Sequence, residues 1–171
     1  MTDLVSLIDH AILHPTATAS DLAEGCRLAD QLGVATVCVK PYWVAAATAL
    51  LQHSSVGVGT VIGFPHGSNN PGIKAAEADR ACDDGATELD MVVNVGQVLE
   101  GAWQSVQEDI AAVCQLARSR EALLKVIFET DFVTADEDKI RLCQICTEIG
   151  VDFVKTSTGF GYTRQEEGGY A

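Results

Sequence analysis

Apolar and polar positions alternate along this chain in blocks of one recurring layout. Short runs rich in Val and Ile are separated by longer segments in which apolar residues return every three or four positions. The runs predict strands and the longer segments predict amphipathic helices. Residues 4–8 form an apolar start, and residues 9–13 a first strand that His14-Pro15 ends. Thr18-Ala-Ser-Asp21 has the spacing of a helix start, Leu22, Cys26, Leu28, Ala29 and Leu32 form its stripe, and Gly33 stops it. A second strand follows over 34–39, and Pro41 opens an alanine-rich helix over 42–52.

The third strand is predicted over 56–62 and a loop over 63–72, where Asn70 and Pro71 suit the N-cap and first position of a helix reaching Asp84. Gly85 stops that helix. Residues 88–93 are a fourth strand closed by an Asn94-Val-Gly96 turn, and 103–118 a helix opened by Trp103. Residues 123–128 are a fifth strand that ends in Glu129-Thr-Asp131. Thr134-Ala-Asp-Glu137 has capping-box spacing before a helix that Gly150 stops. The last strand, in Val151-Asp-Phe-Val-Lys155, is expected to be buried and opens into Thr156-Ser-Thr-Gly-Phe-Gly161.

Gly33, Gly85 and Gly150 each stand where a helix ends and an apolar strand begins two or three residues later. Such βα repetition, with strands apolar on both faces, implies a parallel sheet covered by helices. Two architectures compete. A doubly wound sheet wants Gly-x-Gly-x-x-Gly after its first strand, and the nearest match, Gly57-Val-Gly59-Thr-Val-Ile-Gly63, has the wrong spacing and lies inside a strand. The charges decide further. Asp90, Lys125 and Lys155 each fall within an apolar strand. Under the helices of an open sheet each would be buried alone, at a cost of several kcal/mol. In a closed barrel they converge on one interior and pair. A (β/α) barrel is therefore expected, with its site at the C-terminal strand ends.

Composition narrows the function. With 171 residues, 47% hydrophobic and 20% charged, the chain has material for one cored domain. Its formal net charge of -13 disfavours nucleic acid and anionic membranes as partners. No apolar run approaches the roughly 18 residues of a membrane span. The start lacks the basic and apolar regions of a signal peptide, so a cytoplasmic protein is expected. Cys26, Cys38, Cys82, Cys114, Cys143 and Cys146 mostly sit in apolar patterns and read as free thiols. Cys143-x-x-Cys146 lies within a helical run and reads as packing rather than as half of a zinc site. His10 and His14 read as structural or rim residues. No metal site is expected.

Lys155 is the residue with the sharpest chemical promise, because burial disfavours the ammonium and frees a nucleophilic amine. Pairing with Asp90 in a purely structural role is the alternative. Six stretches bear on the choice: 8–18 (Ile-Asp-His-Ala-Ile-Leu-His-Pro-Thr-Ala-Thr), 37–41 (Val-Cys-Val-Lys-Pro), 59–67 (Gly-Thr-Val-Ile-Gly-Phe-Pro-His-Gly), 88–96 (Glu-Leu-Asp-Met-Val-Val-Asn-Val-Gly), 124–129 (Leu-Lys-Val-Ile-Phe-Glu) and 153–161 (Phe-Val-Lys-Thr-Ser-Thr-Gly-Phe-Gly). In this order they resemble the deoxyribose-phosphate aldolase family, class I aldolases on a TIM barrel.

The resemblance implies reversible cleavage of 2-deoxy-D-ribose 5-phosphate to D-glyceraldehyde 3-phosphate and acetaldehyde, in deoxynucleoside catabolism. It makes Lys155 the Schiff-base lysine, Asp90 the proton-transfer aspartate and Lys125 its interior neighbour. Asp9, Cys38, Thr156 and Ser157 are expected around the substrate. Cys38 is a buried thiol there, not a nucleophile. No cofactor is implied, since the iminium itself is the electron sink.

The family also carries a second lysine in a Lys-Ala-x-Gly-Gly motif on the following strand. That motif does not occur here. Of the five lysines, Lys74 and Lys139 fall on helices, leaving Lys40 and Lys125 as candidates for a neighbouring cation. A barrel of this kind has eight strands in about 250 residues. The expectation is therefore one domain over 1–171 with six of the eight strands, lacking the last two strand–helix units and the phosphate site their loops furnish. Arg164 reads as a solvated loop residue, with a phosphate contact as the alternative. Open strand edges invite homo-oligomerisation. The competing expectation is an impaired remnant acting as a binding or interaction protein.

Overall fold

The computed structural model describes residues 4–162, and Arg164 lies outside them. Six strands, β1 Asp9–Ile12, β2 Thr36–Val39, β3 Gly57–Ile62, β4 Glu88–Val92, β5 Leu123–Ile127 and β6 Phe153–Lys155, form one parallel sheet. Their spatial order equals their chain order. A doubly wound sheet reverses direction at a switch point. This one never does, which is the progression of a (β/α) barrel. The helices between the strands are α1 Ala19–Leu32, α2 Val44–Leu50, α3 Pro71–Asp83, α4 Val95–Leu99, α5 Trp103–Ser119 and α6 Asp136–Ile149.

Strand periodicity sorts the residues onto two faces. Val37, Val39, Leu89, Met91, Leu124 and Val126 join one core cluster with helix residues such as Leu22, Val44, Ile110 and Leu142. Alternate positions turn the other way: Asp9 on β1, Thr36 and Cys38 on β2, Glu88 and Asp90 on β4, Lys125 on β5 and Lys155 on β6. Register puts Asp9 beside Thr36, and Asp90 beside Lys125. This second face is concave. In a flat sheet, four strand spacings of about 4.8 Å would hold β1 and β5 ~19 Å apart. Yet the Lys125 Nζ on β5 donates to Asp9 Oδ2 on β1 at 2.8 Å. Among the described residues the sheet is a curled half-barrel.

The predicted glycine stops are present, with φ of +68° at Gly33, +104° at Gly85 and +80° at Gly150. Thr18 and Asp21 form the expected capping box of α1, and the Asn70 side chain accepts the Gly72 N–H ahead of α3. Trp43 is buried and Trp103 packs against the core.

Several expectations change. Leu28 and Leu32 are exposed, because α1 turns Leu22, Gly25, Cys26 and Ala29 to the sheet. Residues 41–43 form a 3-10 turn before α2. The Asn94 turn is the start of α4, whose Gln97 N–H the Asn94 side chain accepts. Helix α6 begins after Ala135 without a side-chain cap, and Asp136, Glu137 and Asp138 in its first turn complement the positive end of the helix dipole instead. Cys146 is buried but Cys143 is exposed. Strand β6 is an edge among the described residues, with Phe153 and Val154 each about half exposed, so the expected buried strand is an exposed one.

Candidate active site

The interior charges meet at Asp90. Register sets Asp90 next to Lys125 and sets Lys155 next to Ile127, two residues further along β5. From there Lys155 reaches back over β5 and donates to Asp90 Oδ2 at 2.6 Å. Asp90 Oδ1 lies 3.3 Å from Lys125 Nζ, at an angle that makes an ion pair but no hydrogen bond. Asp90 is thus a buried carboxylate shared by two lysines, while the Lys155 side chain keeps about a third of its surface exposed.

Lys125 is more fully engaged. It bonds Asp9 at 2.8 Å and pairs with Glu88 as well as with Asp90. Burial pulls its pKa down, but Asp9, Asp90 and Glu88 outweigh burial and hold the ammonium above its ordinary value. Three acidic side chains and two lysines thus meet in one cluster. The opposite balance acts on Asp9. Burial pushes its carboxyl up, while hydrogen bonds from Lys125 and from Thr36 Oγ1 at 2.7 Å prevail and hold it below the usual carboxylate value. Cys38 faces the same interior. Burial, reinforced by the nearby Asp90 carboxylate, pushes its thiol up to about 12.

Of the candidates for a second cation, Lys125 is tied to three acids. Lys40 is committed to the loop after β1: it donates to Ala17 O at 2.9 Å and to His14 O at 3.2 Å, with the Trp43 ring centroid 4.0 Å away. Lys125 is therefore neutralised where it meets Asp90, and Lys40 is engaged by backbone carbonyls and the Trp43 ring.

Residues after Lys155 are held by the end of β5. Phe128 N–H donates to Lys155 O at 3.0 Å and Thr130 N–H to Thr156 O at 2.9 Å. The Ser157 hydroxyl lies 3.2 Å from that of Thr130, and the Thr156 side chain is on the exposed side of the turn. The open side of the half-barrel holds a cavity of about 420 Å³ lined by Asp9, Glu88, Lys125, Phe153 and Lys155. A more apolar cleft of about 340 Å³ sits at the C-terminal strand ends, between Leu13, Lys40, Val61, Phe64 and Phe160. Lys155 and Asp90 do not line it.

Two features escaped the sequence reading. Lys74, dismissed as a helix lysine, is wholly buried, bonded to Asp109 at 2.6 Å and to Val92 O at 3.0 Å. Burial lowers its pKa against the opposing pull of Asp109. The signal was available. Lys74, Ala78 and Ala81 share the buried face of α3, and Asp109 stands in the stripe Val106, Ile110, Val113 of α5. The second feature is Glu129, buried at the end of β5 with φ +55°. A strand-end acid gave no hint of that conformation.

Fold and site together define a barrel-type protein whose interior holds a lysine–carboxylate centre. Residues 4–170 match the DeoC/LacD family aldolase, and the chain belongs to that family. It is 49% identical over 159 residues to the deoxyribose-phosphate aldolase of Rhodopirellula baltica, covering 93% of this chain and 66% of that protein. To the deoxyribose-phosphate aldolase of a Geobacillus strain it is 46% identical over 158 residues, covering 92% and 70%. Among solved structures, the tetrameric deoxyribose phosphate aldolase from Aeropyrum pernix superposes with a TM-score of 0.84 at 32% identity, covering 92% of this chain and 65% of that one. The chain thus spans about two thirds of the length of these relatives. No helix among the described residues is long and apolar enough to cross a membrane.

Proposed function

We propose that this chain carries the Schiff-base centre of a deoxyribose-phosphate aldolase, acting on 2-deoxy-D-ribose 5-phosphate to give D-glyceraldehyde 3-phosphate and acetaldehyde. The observation that carries this reading is the 2.6 Å contact of Lys155, at the end of β6, with buried Asp90 on the concave face. Membership of an aldolase family supports it. A non-catalytic remnant has no comparable support.

In this mechanism the neutral Lys155 amine adds to the substrate aldehyde, and the carbinolamine loses water to give an iminium. Removal of the substrate's hydroxyl proton breaks the adjacent C–C bond, and the bonding pair passes into the iminium. Glyceraldehyde 3-phosphate leaves. The resulting enamine takes up a proton, and water returns the amine and frees acetaldehyde. Asp90, 2.6 Å from the Lys155 amine, is the proposed group that passes protons to and from it. Lys125, held charged by Asp9 and Glu88, fixes the Asp90 carboxylate from its other side. Asp9, Cys38, Thr156 and Ser157 are the proposed lining of the substrate site.

An amine with a pKa near 10.4 is neutral in about one molecule in 2,500 at pH 7. Reaching a pKa of about 7 takes roughly 4–5 kcal/mol of differential destabilisation of the ammonium. In a barrel with eight strands, a cation from the seventh strand is the proposed contributor to that destabilisation. The proposed organisation of residues 1–171 is accordingly one barrel domain, with β1 and β6 as the edges that two further strand–helix units join. Cytoplasmic location, a homo-oligomeric assembly and a role in deoxynucleoside catabolism complete the proposal. The test is acetaldehyde release from 2-deoxyribose 5-phosphate. Release that vanishes in Lys155→Met supports the reading, and release unaffected by that substitution overturns it.

A further inference from the structure

Glu129 occupies a position that a glutamate adopts only at a cost. Its φ of +55° lies in the left-handed region, where a non-glycine residue pays on the order of 1–3 kcal/mol. Its side chain is also almost completely buried, with 1% of its surface exposed. Both penalties have the same compensation. The Thr158 N–H points at the two carboxylate oxygens, 3.3 Å from each, and the Thr158 hydroxyl donates to Oε2. That hydroxyl in turn accepts the Phe160 N–H at 2.9 Å. The Glu129 carbonyl accepts the N–H groups of Phe132 at 3.0 Å and Val133 at 2.9 Å, which closes the turn the left-handed residue begins.

The flanking residues explain what this achieves. Phe128 bonds the Lys155 carbonyl and Thr130 bonds the Thr156 carbonyl. The backbone ladder from β5 to β6 therefore continues on either side of Glu129, while Glu129 turns its carboxylate under the loop that leaves Lys155. Strand β6 spans only Phe153–Lys155, and two of its three side chains are about half exposed. Packing alone gives Lys155 little to hold it. The Glu129–Thr158 clamp supplies a fixed point three residues beyond the lysine.

We propose that Glu129 is a positioning residue: by clamping Thr158 it sets the Lys155–Ser157 turn so that the lysine amine meets Asp90 and an incoming aldehyde in one geometry. The inference rests on the Schiff-base reading of Lys155. Displacing a reacting group by about 1 Å costs up to ~100-fold in rate, so the clamp acts on the rate of carbinolamine and iminium formation rather than on the number of working sites.

The experiment follows covalent trapping of Lys155 by acetaldehyde and borohydride over time, across a range of acetaldehyde concentrations. It compares the wild-type chain with Glu129→Ala, Glu129→Gln and Thr158→Val. Glu129→Ala is expected to lower the limiting rate constant by about 10- to 100-fold, with less than about twofold change in half-saturating aldehyde. Glu129→Gln keeps an acceptor oxygen for Thr158 and is expected to recover most of the rate. Thr158→Val removes the hydroxyl from the other side of the clamp and keeps the test available should Glu129→Ala fail to fold. A merely structural role would lower the labelled fraction and the melting temperature while leaving the rate constant of the folded molecules unchanged, and that result overturns the proposal. Wild-type chain that never labels at Lys155 overturns the Schiff-base reading and the inference with it. Wild-type label with an undiminished rate in both Glu129→Ala and Thr158→Val overturns the inference alone.

Discussion

The carboxylate of Asp9 and the ammonium of Lys125 meet at 2.8 Å across the concave face, although β1 and β5 are not neighbours in the sheet. This bond ties the first strand to the fifth and records the curvature of the whole sheet. Asp9→Asn keeps the shape and removes the charge. It is expected to lower stability by about 1–3 kcal/mol, read as a lower urea midpoint at neutral pH.

The same pair fixes a pH dependence. The Asp9 carboxyl is held below its ordinary 3.8, so its contribution is complete above that value and is lost as pH falls through the lowered pKa. Lys125 is held above its ordinary 10.5, so its contribution is complete below that value and is lost as pH rises through the raised one. The difference between wild type and Asp9→Asn is expected to be constant from pH 5 to pH 9 and to shrink in acid. Urea titrations from pH 9 down to pH values below 3.8 check it. A difference that grows on acidification contradicts the assignment.

Buried Cys38 and exposed Cys143 differ in reactivity for physical reasons. A thiol pushed up to about 12 presents at pH 8 a thiolate fraction of only about one in ten thousand. Iodoacetamide at pH 8 is expected to modify Cys143 in the folded chain and Cys38 only after denaturation. Peptide mapping by mass spectrometry gives the order. Early modification of Cys38 would mean that the interior face is open to solvent.

Lys74 and Asp109 form an ion pair that is almost wholly removed from water. Removing one partner leaves a buried charge alone, at a cost of about 3–5 kcal/mol. Lys74→Met is therefore expected to destabilise severely, and Lys74→Met with Asp109→Leu to regain most of the loss, because two apolar side chains dispense with the desolvation penalty. Urea denaturation of both variants measures the coupling. Additive losses would show that the two groups act independently.

What was legible in the sequence follows from how each feature is encoded. Glycines 33, 85 and 150 and the β-branched runs state the βα repeat locally, so strand order and helix positions emerge. Asp90, Lys125 and Lys155 are visible because a charge inside an apolar strand demands a partner, and the structure brings the three together. The exposure of Phe153 and Val154 was not legible. It depends on what packs beside β6, not on the residues of β6. Lys74 was misread because a lysine on a helix is ordinarily solvated, and only its alignment with Ala78 and Ala81 betrays the buried face. Glu129 left no trace, since nothing local in Phe-Glu-Thr specifies a left-handed backbone. Its conformation goes with bonds to Thr158, a long-range partner, and to the N–H groups of Phe132 and Val133.

The central claim is that the Lys155 amine forms a covalent Schiff base. The most direct measurement treats the chain with acetaldehyde and borohydride and locates the modified lysine by peptide mass spectrometry. The account predicts an N-ethyl group on Lys155, with Lys40, Lys74, Lys125 and Lys139 unmodified at limiting aldehyde, and its loss in Asp90→Asn or on prior denaturation. A folded chain that carries no label at Lys155, or carries it indifferently on its surface lysines, would contradict the account.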